Sequence, residues 1–313
     1  MDLSRIKIGV LGGGVSQERE ISLLSAEGVY QALKRKGYDT VFIDISTSNP
    51  LKVKSLISSQ NIGLAFIALH GEFGEDGKIQ QILEELDIIY TGSGPKASLC
   101  AMDKSLSKDV FVKNGIPTPD FINCSNKKEV PVITKYPLVV KPSFLGSSLG
   151  VTIVKDKRGL KPALNKAFSY YPKVIIEDYI EGRELTVGIL EDKAMGVVEI
   201  IPKRGYYDFN TKYGDNKAEF VVPAKLSSKV YDEVKRAGLA AHLALGCRHF
   251  SRVDIRLDKN NKPYILEVNS IPGLTSHSLL PLSAKVCGLD YDGLIVKMVQ
   301  LAVYEKKTQK IKV

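Results

Sequence analysis

Between residues 6 and 95 the chain repeats one alternation: a short apolar run, a glycine-rich break, then a stretch with helical periodicity. The apolar runs cover residues 6–11, 41–45, 64–69 and 88–90, and the helical stretches cover 18–36 and 79–85. Strands that alternate with helices must be joined by crossovers, so this order predicts an open, mostly parallel α/β sheet. The breaks are Gly12-Gly13-Gly14, the run from His70-Gly71 to Asp76-Gly77, and Thr91-Gly92-Ser93-Gly94-Pro95. They fall at the carboxyl ends of strands, where sheets of this kind bind ligands, and should therefore face a cleft.

From Lys104 the pattern changes. A helix over 103–114 leads to the proline-marked boundary Gly115-Ile116-Pro117-Thr118-Pro119, and strands follow near 138–141, 151–154 and 174–177, which reads as a small α+β unit. Beyond 185 come strands at 185–190 and 196–201, a loop rich in glycine, tyrosine and lysine, a helix over 228–245, a hairpin, and an amphipathic helix over about 290–304. The predicted division is 1–99, 100–184 and 185–313.

With 313 residues, 44% of them hydrophobic, the chain can bury a core in each of these parts. No stretch approaches about 18 consecutive apolar residues, and the N-terminus leads into a strand rather than a signal segment, so a cytoplasmic protein without membrane spans is expected. Cys100, Cys124, Cys247 and Cys287 lie far apart with no metal-binding spacing and should be reduced. The net charge of +9 favours anionic ligands, but the lysines are dispersed and no basic stripe with aromatic platforms appears. A small anion such as a nucleotide phosphate is the expected partner, not a nucleic acid. Residues 305–310 read as a frayed, solvated end.

The hairpin is the strongest chemical signal. Arg252-Val253-Asp254 and Glu267-Val268-Asn269 lie in two strands flanking the turn Asp258-Lys259-Asn260-Asn261-Lys262. Pairing Leu257 with Tyr264 sets Asp254 opposite Glu267 and Arg252 opposite Asn269 on one face, with Tyr264, Leu266 and Val268 turned inward. Opposed carboxylates repel by up to about 1 kcal/mol, so the face suits either a hard cation such as Mg²⁺ or neutralisation by Arg252 and Arg256.

Other segments converge on the same chemistry. Gly146-Ser147-Ser148-Leu149-Gly150 lies between two strands, where a Walker loop would precede a helix, and so reads as a hairpin flap over phosphates. Lys141 ends an apolar strand, and a lysine buried there calls for an anion. The strand 174–177 runs into the acid-rich linker Glu177 to Glu184, whose carboxylates and backbone suit an adenine amino group and ribose hydroxyls. Ser16 can cap the first helix, while Glu18 and His70 are candidates to face the cleft. A nicotinamide site with Asp44 on the ribose is the competing reading of Gly12-Gly13-Gly14, although its third fingerprint glycine is missing.

In chain order stand Gly12-Gly13-Gly14-Val15-Ser16-Gln17-Glu18-Arg19-Glu20-Ile21-Ser22, His70-Gly71 with Gly74-Glu75-Asp76-Gly77, Tyr90-Thr91-Gly92-Ser93, Met102-Asp103-Lys104, Lys141-Pro142 with Gly146-Ser147-Ser148, Arg252-Val253-Asp254, and Glu267-Val268-Asn269 with Pro272-Gly273-Leu274-Thr275-Ser276-His277-Ser278. This series resembles the D-alanine:D-alanine ligases, ATP-grasp enzymes, over essentially the whole chain. The resemblance implies a three-domain ATP-grasp architecture, a cytoplasmic homodimer, and ligation of two D-alanines through an acyl phosphate for peptidoglycan precursors. It implies that Asp254, Glu267 and Asn269 hold two Mg²⁺ or Mn²⁺ ions. Lys104, Lys141, Gly146, Ser147, Ser148 and Lys212 are implied to grip the ATP phosphates, and Glu177, Ile180 and Glu184 to surround adenine and ribose.

By the same resemblance, Glu18 meets the ammonium of the first D-alanine with His70 nearby, and Ser278 with the Leu279 N–H receives the second carboxylate. Arg252 and the Gly273 N–H are implied to stabilise the tetrahedral oxyanion. The loop 206–214 is implied to be a lid, with Tyr213 linking Ser147 and Glu18; a tyrosine there favours an amine acceptor. Two departures stand out: Phe144-Leu145 where the family usually has arginine and glutamate, and Ser270-Ile271 where a threonine start is commoner.

Overall fold

The computed structural model describes residues 3–127, 130–202 and 218–311. Strands β1 (Ile8–Gly13), β2 (Thr40–Ile45), β3 (Leu64–Ile67) and β4 (Ile89–Tyr90) form a parallel sheet in the order β2-β1-β3-β4. Helices α1 (Arg19–Arg35), α2 (Pro50–Ser59) and α3 (Lys78–Glu85) cross over between them. The sequence reading missed α2 because Pro50 reads as a breaker. At the first helical position its missing N–H costs nothing, and the Asn49 side chain accepts from the Lys52 N–H at 3.1 Å to cap the turn.

A second sheet follows α4 (Pro95–Met102) and α5 (Lys104–Lys113). It pairs β5 (Phe121–Cys124), β6 (Leu138–Pro142), β7 (Thr152–Val154) and β8 (Val174–Asp178) antiparallel in the order β5-β8-β6-β7, with α6 (Lys157–Tyr170) on one face. The predicted flap hairpin is the β6–β7 pair. The third sheet joins β9 (Gly182–Leu190), β10 (Lys193–Ile201), β11 (Glu219–Val221), β12 (Phe250–Asp258) and β13 (Pro263–Asn269) in the order β11-β10-β9-β12-β13. Helix α7 (Ser228–Ala244) covers one face, burying Val234 and Ala241 against Val187, Val253 and Ile255. Two helices, α8 (Leu279–Val286) and α9 (Tyr291–Ile311), complete the chain.

Both faces of the parallel sheet are covered, as its apolar strands require. Leu11, Ile43, Ala65 and Ile67 pack on α2 and α3, whereas Ile8, Val10, Leu64 and Phe66 share a core with Leu274, Leu280, Leu294 and Met298. The last third of the chain thus closes the first sheet. No helix among the described residues is long and apolar enough to cross a membrane.

Two expectations are corrected. Asp254 does pair with Glu267 and Arg252 with Asn269, but Leu257 pairs with Pro263, because the register shifts between Asp254 and Ile255. The extra residue is Leu266, a β-bulge that turns Leu266 toward the same side as Glu267 and buries Ile265 instead of Tyr264 and Leu266, while Val268 is buried as expected. The second concerns Glu305, read as part of a solvated tail. It lies in α9 and accepts from Arg248 Nη1 at 2.7 Å and faces His249 Nε2 at 3.0 Å, because α9 carries it back over the start of β12.

The contact that sets α1 on the sheet is made possible by Gly12, where an added Cβ would lie 2.4 Å from the buried Ala26 Cβ. Gly12→Ala should force β1 and α1 apart and cost about 1–3 kcal/mol. Thermal denaturation of the purified variant checks this: a melting midpoint within about 1 °C of wild type would mean that the two elements tolerate the methyl group.

Candidate active site

Two cavities meet along one wall. The larger, about 480 Å³, lies between the second and third sheets, and the smaller, about 350 Å³, lies between the parallel-sheet loops and α8. Strands β12 and β13 floor both: Asp254 and Glu267 line the larger cavity, Arg252 and Asn269 the smaller. The flap roofs both, with Leu145 and Ser148 over the larger and Gly146 and Ser147 over the smaller.

Asp254 is densely held. Arg252 forks onto it through Nε at 2.9 Å and Nη2 at 2.8 Å, the Thr186 hydroxyl donates at 2.7 Å, and Asn269 Nδ2 at 3.1 Å. Glu267 pairs with Lys104 Nζ at 3.0 Å, and the same ammonium donates to the Leu145 carbonyl at 2.7 Å. Lys104 therefore ties roof to floor. Both readings of the hairpin hold in part: the face neutralises Asp254 with Arg252, and it still presents two carboxylates and an amide to the cavities.

Deeper in the larger cavity, Lys141 has the anion its burial requires, and it is a protein carboxylate. Glu177 Oε1 lies 2.6 Å from Lys141 Nζ, and Glu177 Oε2 lies 2.8 Å from Lys108 Nζ. Lys108, wholly buried, also donates to Thr118 Oγ1 at 2.6 Å. Burial would raise the Glu177 carboxyl, but Lys108 and Lys141 outweigh it and hold it below the usual range. Burial lowers Lys108 to about 8. Sequence reading missed Lys108; its spacing of one helical turn after Lys104 on α5 is the signal that places both on one face. At the cavity rim, Ile180 and Glu184 contact Arg256, through its Nε to the Ile180 carbonyl at 3.1 Å and Nη1 to Glu184 at 3.2 Å.

In the smaller cavity, Glu18 occupies the N-cap position of α1 without capping it. Ser16, the expected cap, instead accepts from the Glu18 N–H at 3.2 Å and donates to the His70 carbonyl at 2.7 Å. This frees the Glu18 carboxylate, which accepts a hydrogen bond from the Ser147 hydroxyl of the flap. The approach is close: a Cβ on Gly146 would lie 2.9 Å from Glu18 Oε2. His70 faces the Ile271 carbonyl through Nδ1 at 3.2 Å and the Ser25 hydroxyl through Nε2 at 2.9 Å. A carbonyl only accepts, so Nδ1 carries the proton, and burial lowers the affinity of the ring for a second.

At the far end Ser278 stands at the N-cap of α8, with its hydroxyl 2.8 Å from Thr275 Oγ1 and accepting from the Thr275 N–H at 3.0 Å. Ser278 and Leu279 line the cavity beside Gly273. An anion there meets the positive end of the helix. Lys212 and Tyr213 lie outside the described residues. The competing nicotinamide reading loses its ribose acid, because Asp44 is forked by Arg19 at 2.9 and 2.7 Å.

Glu75, not among the sequence candidates, lines the smaller cavity and accepts from the Gly71 N–H at 2.8 Å. Burial, reinforced by the charge of Glu18, pushes it from 4.5 up to about 8. The folded protein thus holds a proton that the unfolded chain releases, and stability falls as pH rises from 4.5 to about 8. Glu75→Gln keeps an acceptor for Gly71 and removes that slope. The melting midpoint of the variant should gain on wild type between about pH 5 and about pH 8; parallel midpoints across that window would refute the assignment.

The sequence matches the family models for the D-ala D-ala ligase N-terminus over residues 7–54 and 46–93 and for the D-ala D-ala ligase C-terminus over residues 111–300. It is 44% identical over 311 residues to a D-alanine–D-alanine ligase of Pelobacter propionicus, covering 98% of this chain and 99% of the relative. In structure it is similar to the D-alanine–D-alanine ligase of Bacillus anthracis complexed with ATP, with a TM-score of 0.85, 33% identity, and coverage of 97% and 99% of the two chains. The VanG D-Ala:D-Ser ligase of Enterococcus faecalis is also similar, with a TM-score of 0.82, 29% identity, and coverage of 95% and 99%. Coverage of both halves by family models and near-complete alignment at this identity make the chain a member of the D-alanine–D-alanine ligase family.

Proposed function

We propose that the protein is an ATP- and Mg²⁺-dependent ligase that joins two D-alanines into D-alanyl-D-alanine for peptidoglycan precursors, releasing ADP and phosphate. The observation that carries this reading is the shared wall. One cavity holds lysines and carboxylates suited to a nucleotide triphosphate, the other holds a carboxylate at one end and a helix N-terminus at the other, and β12, β13 and the flap border both.

In this reading the γ-phosphoryl group moves from ATP to a carboxylate oxygen of the first D-alanine, giving ADP and an acyl phosphate. The amine of the second D-alanine attacks the carbonyl carbon, phosphate leaves, and the amine loses a proton. Glu18 anchors the first ammonium and so aims the carboxylate at the nucleotide cavity, a contribution of position rather than covalent chemistry. Lys104 and Lys141 meet phosphate oxygens beneath Gly146, Ser147 and Ser148. Ser278 and the Leu279 N–H hold the second carboxylate, and His70 stands near Glu18 at the first D-alanine. Arg252 and the Gly273 N–H receive the oxyanion, and the pairing of Arg252 with Asp254 fixes its orientation in advance.

Asp254, Glu267 and Asn269 fit Mg²⁺ or Mn²⁺: they are hard oxygen donors, few enough to leave positions for phosphate oxygens and water. Among the described residues no group of three or more His, Cys, Asp or Glu is placed to hold a metal ion by itself. Metal ions held by these residues would supply charge withdrawal from the phosphates during transfer. Glu177, Ile180 and Glu184 surround adenine and ribose; Lys212 and Tyr213, the lid residues that the resemblance implies, lie outside the described residues. The division into 1–99, 100–184 and 185–313, a homodimer and a cytoplasmic location complete the proposal.

Phosphate release from Mg-ATP should depend on D-alanine and yield D-alanyl-D-alanine by chromatography. Release independent of D-alanine, or none, sinks the ligase reading, and products formed with D-serine or D-lactate define the acceptor. Glu267→Gln should lower turnover about a thousandfold, since several kcal/mol of charge stabilisation are at stake. Near-normal turnover by that variant would refute the metal assignment.

A further inference from the structure

Arg256 has no role in the proposed chemistry, yet it lines the nucleotide cavity two residues beyond Asp254 on the same face of β12. Its guanidinium is largely enclosed, with 15% of the side chain exposed. Four contacts converge on it: Nε to the Ile180 carbonyl at 3.1 Å, Nη1 to Glu184 Oε2 at 3.2 Å, Nη2 to the Tyr179 hydroxyl at 3.4 Å, and a Tyr179 ring centroid 5.6 Å away. The contacts to Tyr179 and Ile180 lie on the segment joining β8 to β9, and Glu184 lies two residues into β9, opposite Arg256 in the β9–β12 ladder. The peptide groups of that joint between Asp178 and Gly182 belong to neither strand, so the ladder does not fix them.

We propose that Arg256 is a positioning residue for nucleotide recognition, holding the Tyr179–Glu184 segment in the form that accepts a 6-aminopurine nucleotide. This rests on the reading of the larger cavity as the ATP site. Tyr179 N–H donates to the Pro137 carbonyl at 3.3 Å, and the Ile180 carbonyl is taken by Arg256 at 3.1 Å. Among the described residues the Ile180 N–H meets no acceptor, so Ile180 offers the cavity a donor and withholds its acceptor. Adenine N1 is an acceptor and matches that donor; guanine N1 carries a hydrogen and opposes it. An unpaired or opposed polar group in a desolvated site discriminates strongly. Through the same guanidinium, Glu184 is held at the cavity rim, where ribose hydroxyls would reach it.

The test is steady-state kinetics of the full chain with Arg256→Met and Arg256→Lys. Arg256→Met keeps the stem and loses every polar contact. Its KM for ATP should rise about tenfold or more, with kcat and the KM for D-alanine within about threefold of wild type. Its preference for ATP over GTP and over 2′-deoxyATP should fall by about tenfold. Arg256→Lys should recover part of the KM for ATP, because an ammonium can still reach the Ile180 carbonyl or Glu184 but not both in a fork. An unchanged KM for ATP and unchanged nucleotide preference in both variants would overturn the inference. So would equal losses in kcat and in both KM values, which mark general damage to the fold. A wild-type protein with no D-alanine-dependent use of ATP would fail the functional reading itself, whereas a normal wild type with an unaffected Arg256→Met fails this inference alone.

Discussion

The site depends on the pairing of β12 with β13. Two opposed carboxylates on adjacent strands repel, and a sheet normally avoids the arrangement. Here Asp254 and Glu267 face each other, and each is given its own cation: Arg252 from two residues earlier on the same strand, and Lys104 from α5. The two cations differ in kind. Arg252 binds as a rigid two-point fork that fixes orientation, whereas Lys104 is a point charge able to exchange a carboxylate for a phosphate oxygen. The floor is therefore balanced before any nucleotide arrives, and Lys104 is the partner free to change allegiance because its geometry is undemanding.

The larger cavity carries a second cluster that stability alone does not explain. Lys108, Glu177 and Lys141 are all buried, and burying charge costs free energy that a mutual ion pair only partly returns. Two lysines on one carboxylate leave an excess positive charge at the end of β6. Burial lowers Lys108 to about 8, with the charge of Lys141 adding to it against the pull of Glu177.

Much of this was legible in the sequence. The parallel sheet, the flap hairpin and the pairing of Asp254 with Glu267 follow from period-2 patterning, helix spacing and turn composition, which are local signals. The bulge at Leu266 was not legible. A bulge breaks the alternation from which strand faces are read, so alternation places Tyr264 and Leu266 inward, whereas Ile265 is the buried residue. Helix α2 was hidden for the opposite reason: Pro50 is a breaker everywhere except at the first turn. Among site residues, those at strand ends and in glycine loops announce themselves by composition. Lys108, Glu75 and Arg256 do not, because the meaning of a charged residue depends on partners 69, 57 and 72 positions away in the chain, Glu177, Glu18 and Glu184.

The flap shows how a departure from the family pattern is absorbed. Where arginine and glutamate are usual, Phe144 stacks on Tyr171 with centroids 5.5 Å apart and planes at 17°, and the Leu145 carbonyl accepts from Lys104. A charged anchor is thus replaced by an offset aromatic pair, a contact worth about 0.5–1.5 kcal/mol and insensitive to salt. Beyond it Ser147 and Ser148 are both left-handed, at φ 53° and 58°, a conformation costing roughly 1 kcal/mol or more for each non-glycine residue. That conformation persists because it turns the Ser147 hydroxyl onto Glu18 and Ser148 toward the nucleotide cavity. The stack holds the base of the flap, the Glu18 hydrogen bond holds its tip, and the strained pair at that tip lets one short loop serve two cavities at once.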